Sequence, residues 1–310
     1  MHELLFLKPV FKEMIWGGNR MRETFDYDIP GDDTGEAWIV SAHPQGNCTV
    51  TEGTYKGKNL SCLWQEHREL FGNLSGDVFP LLVKIIDAKH DLSIQVHPDD
   101  SYAKKQEHGA LGKRECWYIL DCDKDASIIV GHNASSKKEL AQMIHDKKWS
   151  DLIRVRPIKP GDFFQIEPGT VHAIKGGTLL IETQQNSSIT YRLYDYDRLS
   201  DGKPRELHID KSIDVIRCPH EDYITSGKAE TCTGYTHKEL VSCSNYTVDK
   251  YNISESLTLS QDNPFLIVDI IDGKGTIDGH AVKKGDNLIL PNGYGTCTIM
   301  GTLSLITSHI

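Results

Sequence analysis

Gln95-Val96-His97-Pro98, Glu115 and Pro168-Gly169-Thr170-Val171-His172 carry the residue types and spacings that could do chemistry. In an extended strand, residues two apart share a face. Gln95 and His97 therefore project together, with Val96 behind them. Glu115 opens a β-like segment in Lys113-Arg114-Glu115-Cys116-Trp117-Tyr118, and His172 follows a turn. Two imidazoles, a carboxylate and an amide oxygen suit one divalent cation per chain, Zn²⁺ above others, with a position left for water or substrate. That is the pattern of a catalytic site rather than a closed structural one. One histidine among the fourteen would mean little. The alternative is four unrelated polar residues, and the combination argues against it.

The elements that must position these residues read as short strands separated by Gly, Pro, Asn and Asp: 79–86, 92–96, 116–120, 127–130, 179–182 and 188–193. Helices are few. Residues 59–71 place Leu60, Leu63, Trp64, Leu70 and Phe71 at helical spacing, with Gly72 to close the element. Ser136 and Glu139 form a capping box ahead of Leu140, Met143 and Ile144, and a third short helix follows Asp99-Asp100. Many strands with few helices predict a mainly β sandwich or barrel.

A weak repeat extends this. Gly161-Asp162, a strand, Pro168-Gly169 and then His172 recur as Gly285-Asp286, Leu288-Ile289-Leu290, Pro291-Asn292-Gly293 and then Thr296. Gly273 to Ile277 followed by Asp278-Gly279 reads as a strand and hairpin turn. The expectation is two related β-barrels: residues 1–235 with the metal ligands, and a smaller 236–310 unit without them. The boundary falls within 220–245, where Cys218-Pro219-His220-Glu221-Asp222 and Thr225-Ser226-Gly227-Lys228 interrupt the pattern.

Composition narrows the class. The chain has 310 residues, 38% hydrophobic and 25% charged, with net charge −10 and no basic run. That argues against a nucleic-acid or membrane-surface role. Met1-His2-Glu3 starts no signal-peptide pattern, and no apolar stretch is long enough to span a bilayer. Eight cysteines without a C-x-x-C pair predict neither a disulfide framework nor a cysteine zinc site. A cytoplasmic protein is expected, with a monomer favoured.

The Gly-Asp and Pro-Gly-Thr-Val-His arrangement resembles the second motif of the cupin superfamily, which implies jelly-roll barrels. More narrowly, Leu92-Ser93-Ile94-Gln95-Val96-His97-Pro98-Asp99, Lys113-x-Glu115, Ile181-Glu182-Thr183, Asn186-Ser187-Ser188-Ile189-Thr190-Tyr191-Arg192 and Phe79-Pro80-Leu81-Leu82-Val83-Lys84 resemble type I mannose-6-phosphate isomerases. Trp16-Gly17-Gly18 and Gly35-Glu36-Ala37-Trp38 are further landmarks, and the similarity runs from about Leu7 to Asp214. The stretch between Glu115 and His172 leaves no room for the helical insertion of longer members, so the chain looks like the short bacterial form. Arg114 stands where longer forms commonly have proline, and Gly112 precedes the lysine, so no role is transferred to position 112.

The resemblance implies metal-assisted interconversion of mannose 6-phosphate and fructose 6-phosphate through an enediolate. It brings Arg192 forward as the phosphate clamp, with Lys84, Lys113 and Ser93 as further substrate-binding candidates. Alternatively, Arg192 forms a salt bridge with Asp195 or Asp197, the lysines are solvated, and Ser93 bonds to backbone. Arg192, Glu182 and Lys113 are the catalytic candidates, and whether Glu182 or Lys113 carries the proton stays open. For Glu182 the other reading is pairing with a structural cation such as Arg192. Trp16, Trp38, Trp117 and Tyr191 could line a sugar pocket or belong to core and rim, and Asp195-Tyr196-Asp197-Arg198 reads as a structural turn. Two other functions fit the ligands: an Fe²⁺ dioxygenase, against which Gln95 as a fourth ligand argues, and a non-catalytic sugar-phosphate-binding protein.

Overall fold

The computed structural model describes residues 3–200, 202–224 and 227–310. Met1 and His2 of the amino-terminal reading, and Thr225 and Ser226 of the expected boundary, lie outside the described residues, as does Asp201. In chain order, the strands used below are β1 (Leu5–Lys8), β2 (Val10–Gly18), β3 (Thr34–Val40), β4 (Leu81–Ala88), β5 (Ile94–Val96) and β6 (Glu115–Cys122). They continue as β7 (Ser127–His132), β8 (Ile153–Pro157), β9 (Phe163–Ile166), β10 (His172–Ile174), β11 (Thr178–Gln185) and β12 (Tyr191–Tyr194).

Two antiparallel sheets build the first half. One runs β9-β6-β11-β4-β2-β3, and the other runs β8-β7-β10-β5-β12. Trp16, Ile86, Trp117, Ile119 and Leu180 of the first pack with Ile128, Val130 and Ile174 of the second in one buried cluster. The opposite face of the first sheet is covered too. There Leu81, Val83, Ile85 and Ile181 pack with Leu60, Trp64, Phe265, Ile267 and Ile306. Burial on both faces explains why β4 and β11 are buried along their whole length and why β4 reads as a near-continuous apolar run. The polar residues in these strands, such as Lys84 and Glu182, must then find partners inside.

The outer face of the second sheet packs on helices Lys137–His145 and Ile209–Val215 through Ile94, Val96, Tyr191, Leu193, Leu140 and Ile144. The expected helix at 59–71 is an α-helix, Leu60–Glu66, followed by a 3₁₀ turn, Arg68–Phe71, that Gly72 closes at φ 64°. Asp99 caps the helix Asp100–Gln106 by accepting from the Tyr102 amide. The Ser136 cap is half a box: its hydroxyl accepts from the Glu139 amide, but the Glu139 carboxylate reaches back to Ser135 rather than Ser136.

A ten-stranded antiparallel sheet holds the C-terminal strands, centred on Phe265–Ile277 and Gly295–His309. β1 joins this sheet, pairing Leu5 with Ile289 on one side and Leu7 with Val50 on the other. The Gly-Asp repeat is physical. Gly161 donates to the Ile119 carbonyl and Gly285 to that of Ile270. Asp162 accepts from the Lys159 amide at 2.9 Å, and Asp286 from the Lys283 amide at 2.8 Å. Asp278 and Gly279 both take positive φ in the two-residue turn between Ile277 and His280, as a type I′ hairpin requires. All eight cysteines are free, and no helix among the described residues is long and apolar enough to cross a membrane.

Candidate active site

Cross-strand register assembles the site from two rows. In the second sheet, Gln95 lies opposite His172 on one side and Arg192 on the other. In the first, Glu182 lies opposite Lys84 and Trp117, and Lys84 lies opposite Trp38. Glu115 is two residues before Trp117, so both face inward. His97 follows β5 on the face of Ser93 and Gln95, while Ile94 and Val96 point out to the helices, as the period of two requires.

Glu115, His97 and His172 are almost fully buried and converge. His97 Nε2 and His172 Nε2 are 3.1 Å apart, and each lies 3.4 Å from a Glu115 oxygen. Gln95 Nε2 is 3.3 Å from His172 Nε2. An amide rotation would exchange that atom for Oε1, since the two are assigned from their neighbours. The tautomers follow from the outer contacts. His97 Nδ1 lies 2.8 Å from the Ile189 carbonyl, and His172 Nδ1 lies 2.8 Å from the Thr170 carbonyl. A carbonyl only accepts, so both Nδ1 atoms carry the proton and both Nε2 lone pairs face each other.

Burial, then the Lys113 charge, pushes His97 down to about 3, and burial holds His172 below its ordinary value. Both imidazoles are therefore neutral at pH 7. Burial alone would raise the Glu115 carboxyl, but Lys113 and then His97 outweigh it and hold Glu115 well below the usual carboxylate range. Neither Glu115 oxygen has a hydrogen-bond donor in good geometry, though Lys113 Nζ stands 2.7 Å from Oε2 as an ion pair. Two opposed lone pairs beside a buried anionic carboxylate make a donor set that fits a divalent cation.

A cavity of about 310 Å³ opens over this centre. Gln95, Lys113, Glu182, Lys84, Ser93 and Arg192 all line it, so the expected site residues share one space. A larger groove of about 440 Å³, around Arg217 and His220, touches none of them.

The lysines are not solvated. Lys84 Nζ lies 3.2 Å from Glu182 Oε1 and 3.8 Å from Glu36 Oε2. Burial works against its charge, yet Glu36 and then Glu182 hold its pKa above the ordinary value. Burial, then the negative charge of Glu115, raises Glu182, against the pull of Lys113 and Lys84. Trp117 Nε1 donates to Glu182 Oε2 at 3.0 Å. The cation beside Glu182 is thus Lys84, not Arg192.

Arg192 departs from the salt-bridge alternative as well. Asp195 is taken by Arg198 and Arg205. Arg192 instead donates from Nε to Ser93 Oγ at 3.3 Å and from Nη1 to the Glu206 carbonyl at 2.8 Å. Among the described residues, no carboxylate lies within 4 Å of it. Ser93 Oγ is 3.4 Å from Gln95 Oε1, linking the guanidinium to the metal ligands.

Of the aromatic candidates, Trp16 and Trp38 line the cavity. Trp117 is fully buried behind Glu182. Tyr191 lies on the outer face, where its hydroxyl donates to Glu107 at 2.7 Å. Glu36, Arg205 and His208 also line the cavity and were not anticipated. Glu36 was on view within Gly35-Glu36-Ala37-Trp38. No local signal marks Arg205 or His208.

Known proteins resemble the chain throughout. The family model "Phosphomannose isomerase type I, catalytic domain" matches residues 4–148, and "Mannose-6-phosphate isomerase, cupin domain" matches residues 236–310. Mannose-6-phosphate isomerase ManA of Bacillus subtilis (strain 168) is 51% identical, covering 99% of both chains. Mannose-6-phosphate isomerase of Streptococcus mutans is 48% identical over 100% of this chain and 99% of its own. A crystal structure of the mannose 6-phosphate isomerase from Bacillus subtilis superposes with TM-score 0.97 at 51% identity, covering 99% of each chain.

Proposed function

The chain belongs to the type I phosphomannose isomerase family, and we propose from that premise that the cavity over His97, Glu115 and His172 interconverts mannose 6-phosphate and fructose 6-phosphate. The observation that carries this reading is charge placement. Buried lone pairs and a carboxylate fit a cation at the floor, while Arg192 at the rim has no carboxylate within 4 Å among the described residues.

In this reading Gln95, His97, Glu115 and His172 would hold the ion, one Zn²⁺ per chain. When bound, it supplies Lewis acidity toward the negative charge that develops as the sugar carbonyl becomes an enediolate. The neutral Gln95 amide leaves that charge less offset than a second carboxylate would. Arg192 holds the phosphate as a charge-assisted donor, with Ser93 fixing its Nε. Lys84 and Lys113 are substrate-binding candidates that also set the charge around Glu182.

Glu182 takes the proton from C2 of the open-chain aldose and returns it to C1, and the hydroxyl proton of O2 passes to O1 in the enediol stage, which yields the ketose. Its burial supports this role, because a carboxyl raised toward neutral pH both accepts and gives a proton readily. The Trp117 bond to Oε2 keeps the carboxylate from turning. Lys113, at 3.3 Å from His97 Nε2 and beside Glu115, is the rival carrier. We read the protein as a cytoplasmic monomer with a 236–310 unit that lacks the metal ligands.

A coupled assay with mannose 6-phosphate on metal-loaded protein tests the function, with metal content measured on the same sample. Turnover abolished by chelator and restored by zinc is expected. Metal-loaded protein that binds the sugar phosphate without turning it over would make this a binding protein instead.

A further inference from the structure

Arg192 is not the only guanidinium at the cavity rim. Arg205 follows the exposed hairpin formed by Leu199–Ser200 and Lys203–Pro204, and it lines the same space. Its Nε donates to Asp195 Oδ2 at 2.7 Å and its Nη2 to Oδ1 at 2.5 Å. Asp195 is 4% exposed. It also receives Arg198, 2.6 Å from Nη2 to Oδ1. Two guanidiniums therefore share a single carboxylate, and that carboxylate is bidentate to Arg205. The fork fixes the plane of the Arg205 guanidinium and leaves its Nη1 edge without a bond among the described residues. Arg192 Nη2 is likewise without one.

A pair of half-buried cations this close is costly unless an anion joins them. Burial, then the repulsion of Arg205, lowers Arg192 from its ordinary value, against the weaker pull of Asp195. Arg192, Arg198 and Arg205 outnumber the one buried carboxylate among them, an excess that matches a phosphate group in sign. Contacts of 3.3 Å from Arg192 to Ser93, 3.4 Å from Ser93 to Gln95 and 3.3 Å from Gln95 to His172 separate this pair from the metal ligands. A six-carbon chain with its reactive end at the ligands would carry its phosphate to this rim.

We infer that Arg205 is a second phosphate-binding residue, acting with Arg192, and that Asp195 is the positioning residue that holds its guanidinium toward the cavity. The inference rests on the sugar-phosphate reading of the site. It turns Asp195 to Arg198 from a structural turn into part of the substrate's anion site.

The test uses full-length, zinc-loaded protein: wild type, Arg205→Met, Arg205→Lys and Asp195→Asn. Mannose 6-phosphate kinetics are measured beside calorimetric titration with inorganic phosphate. Losing one charge-assisted donor predicts that Arg205→Met raises KM by about ten- to a hundredfold and weakens phosphate binding in parallel, while kcat falls far less. Arg205→Lys recovers part of the charge but not the fork. Asp195→Asn shifts KM the same way by a smaller factor. A lower Tm with KM and phosphate affinity at wild-type values in all three variants would make Arg205 a loop fastener only. Should Arg205→Met not fold, the other two variants decide by the same readouts. If wild type binds phosphate but does not isomerise mannose 6-phosphate, the functional reading fails separately. If wild type isomerises and Arg205→Met binds phosphate equally well, this inference alone fails.

Discussion

Replacing Lys84 with methionine tests the charge network under the cavity. Lys84 Nζ lies 3.2 Å from Glu182 and 3.8 Å from Glu36, with little solvent access to any of the three. At an effective dielectric of about 20, one opposite charge at 3.2 Å is worth roughly 5 kcal/mol before desolvation is counted. Methionine keeps the length of the side chain and removes the charge. Two carboxylates then remain buried without their shared cation. Breaking such a pair costs on the order of 3–5 kcal/mol of stability at pH 7. It also favours the protonated form of Glu182. A base works only when unprotonated, so activity rises with pH as Glu182 ionises. In Lys84→Met that rise moves up by about one to three pH units. Denaturant unfolding and a pH profile of kcat on metal-loaded protein measure the two effects. An acid limb that stays in place while turnover persists would refute Glu182 as the proton carrier. A variant as stable as wild type would refute the claim that Lys84 neutralises two buried carboxylates.

Three more outcomes follow from the geometry. Arg192→Met raises KM for mannose 6-phosphate by about ten- to a hundredfold, since a charge-assisted contact contributes roughly 1.5–3 kcal/mol; an unchanged KM in steady-state kinetics counts against the clamp. Dialysis against chelator lowers Tm, and zinc restores it, because a ligand of the native state stabilises by mass action; calorimetry with and without zinc checks this, and His97→Ala must abolish the zinc response. Asp269 is 1% exposed, neither of its oxygens has a hydrogen-bond partner among the described residues, and burial raises its pKa well above the ordinary value. The folded state keeps a proton that the unfolded state releases, so stability falls as pH rises through that window, by about 1.4 kcal/mol per unit. Asp269→Asn removes the slope, so its advantage over wild type grows from about pH 5 upward in urea titrations; a pH-independent difference would contradict it.

The candidate metal ligands Gln95, His97 and His172 were legible because their signal is local. Gln95 and His97 announce a shared face by spacing alone, and Pro168 to His172 carries its own turn. The same rule, applied one residue further, would have removed Tyr191 from the pocket. Arg192 faces Gln95 across the strand pair, so its neighbour must face away. The surroundings of Glu182 were not legible. Its partners Lys84, Glu36 and Trp117 come from three other strands, and only the order β6-β11-β4 with β3 beside β4 brings them together. Burial of Lys84 and Lys113 was hidden for a related reason. Lys84, within an apolar run, reads the same whether the far side of its sheet meets water or a second sheet, and Lys113, in Gly112-Lys113-Arg114, reads as an exposed polar loop. Arg205 owes its place to a chain reversal and to Asp195, ten positions earlier, which no periodicity links to the site.

β1 also bears on how the molecule is made. Its Leu7 side pairs early, with Val50, but its partner on the other side, Asn287–Pro291, lies near the other end of the chain, so that edge waits open until nearly everything else has been synthesised. Until then Leu5 and Leu7 are uncovered, as is the Leu81, Val83 and Ile85 face of the catalytic sheet that Phe265 and Ile267 later cover. Pairings of such long sequence separation close late and slowly. A ribosome-bound chain thus carries the candidate metal ligands before the far face of one of the two sheets that hold them is covered. Cutting the polypeptide at residue 235 would hold it permanently in that unfinished state.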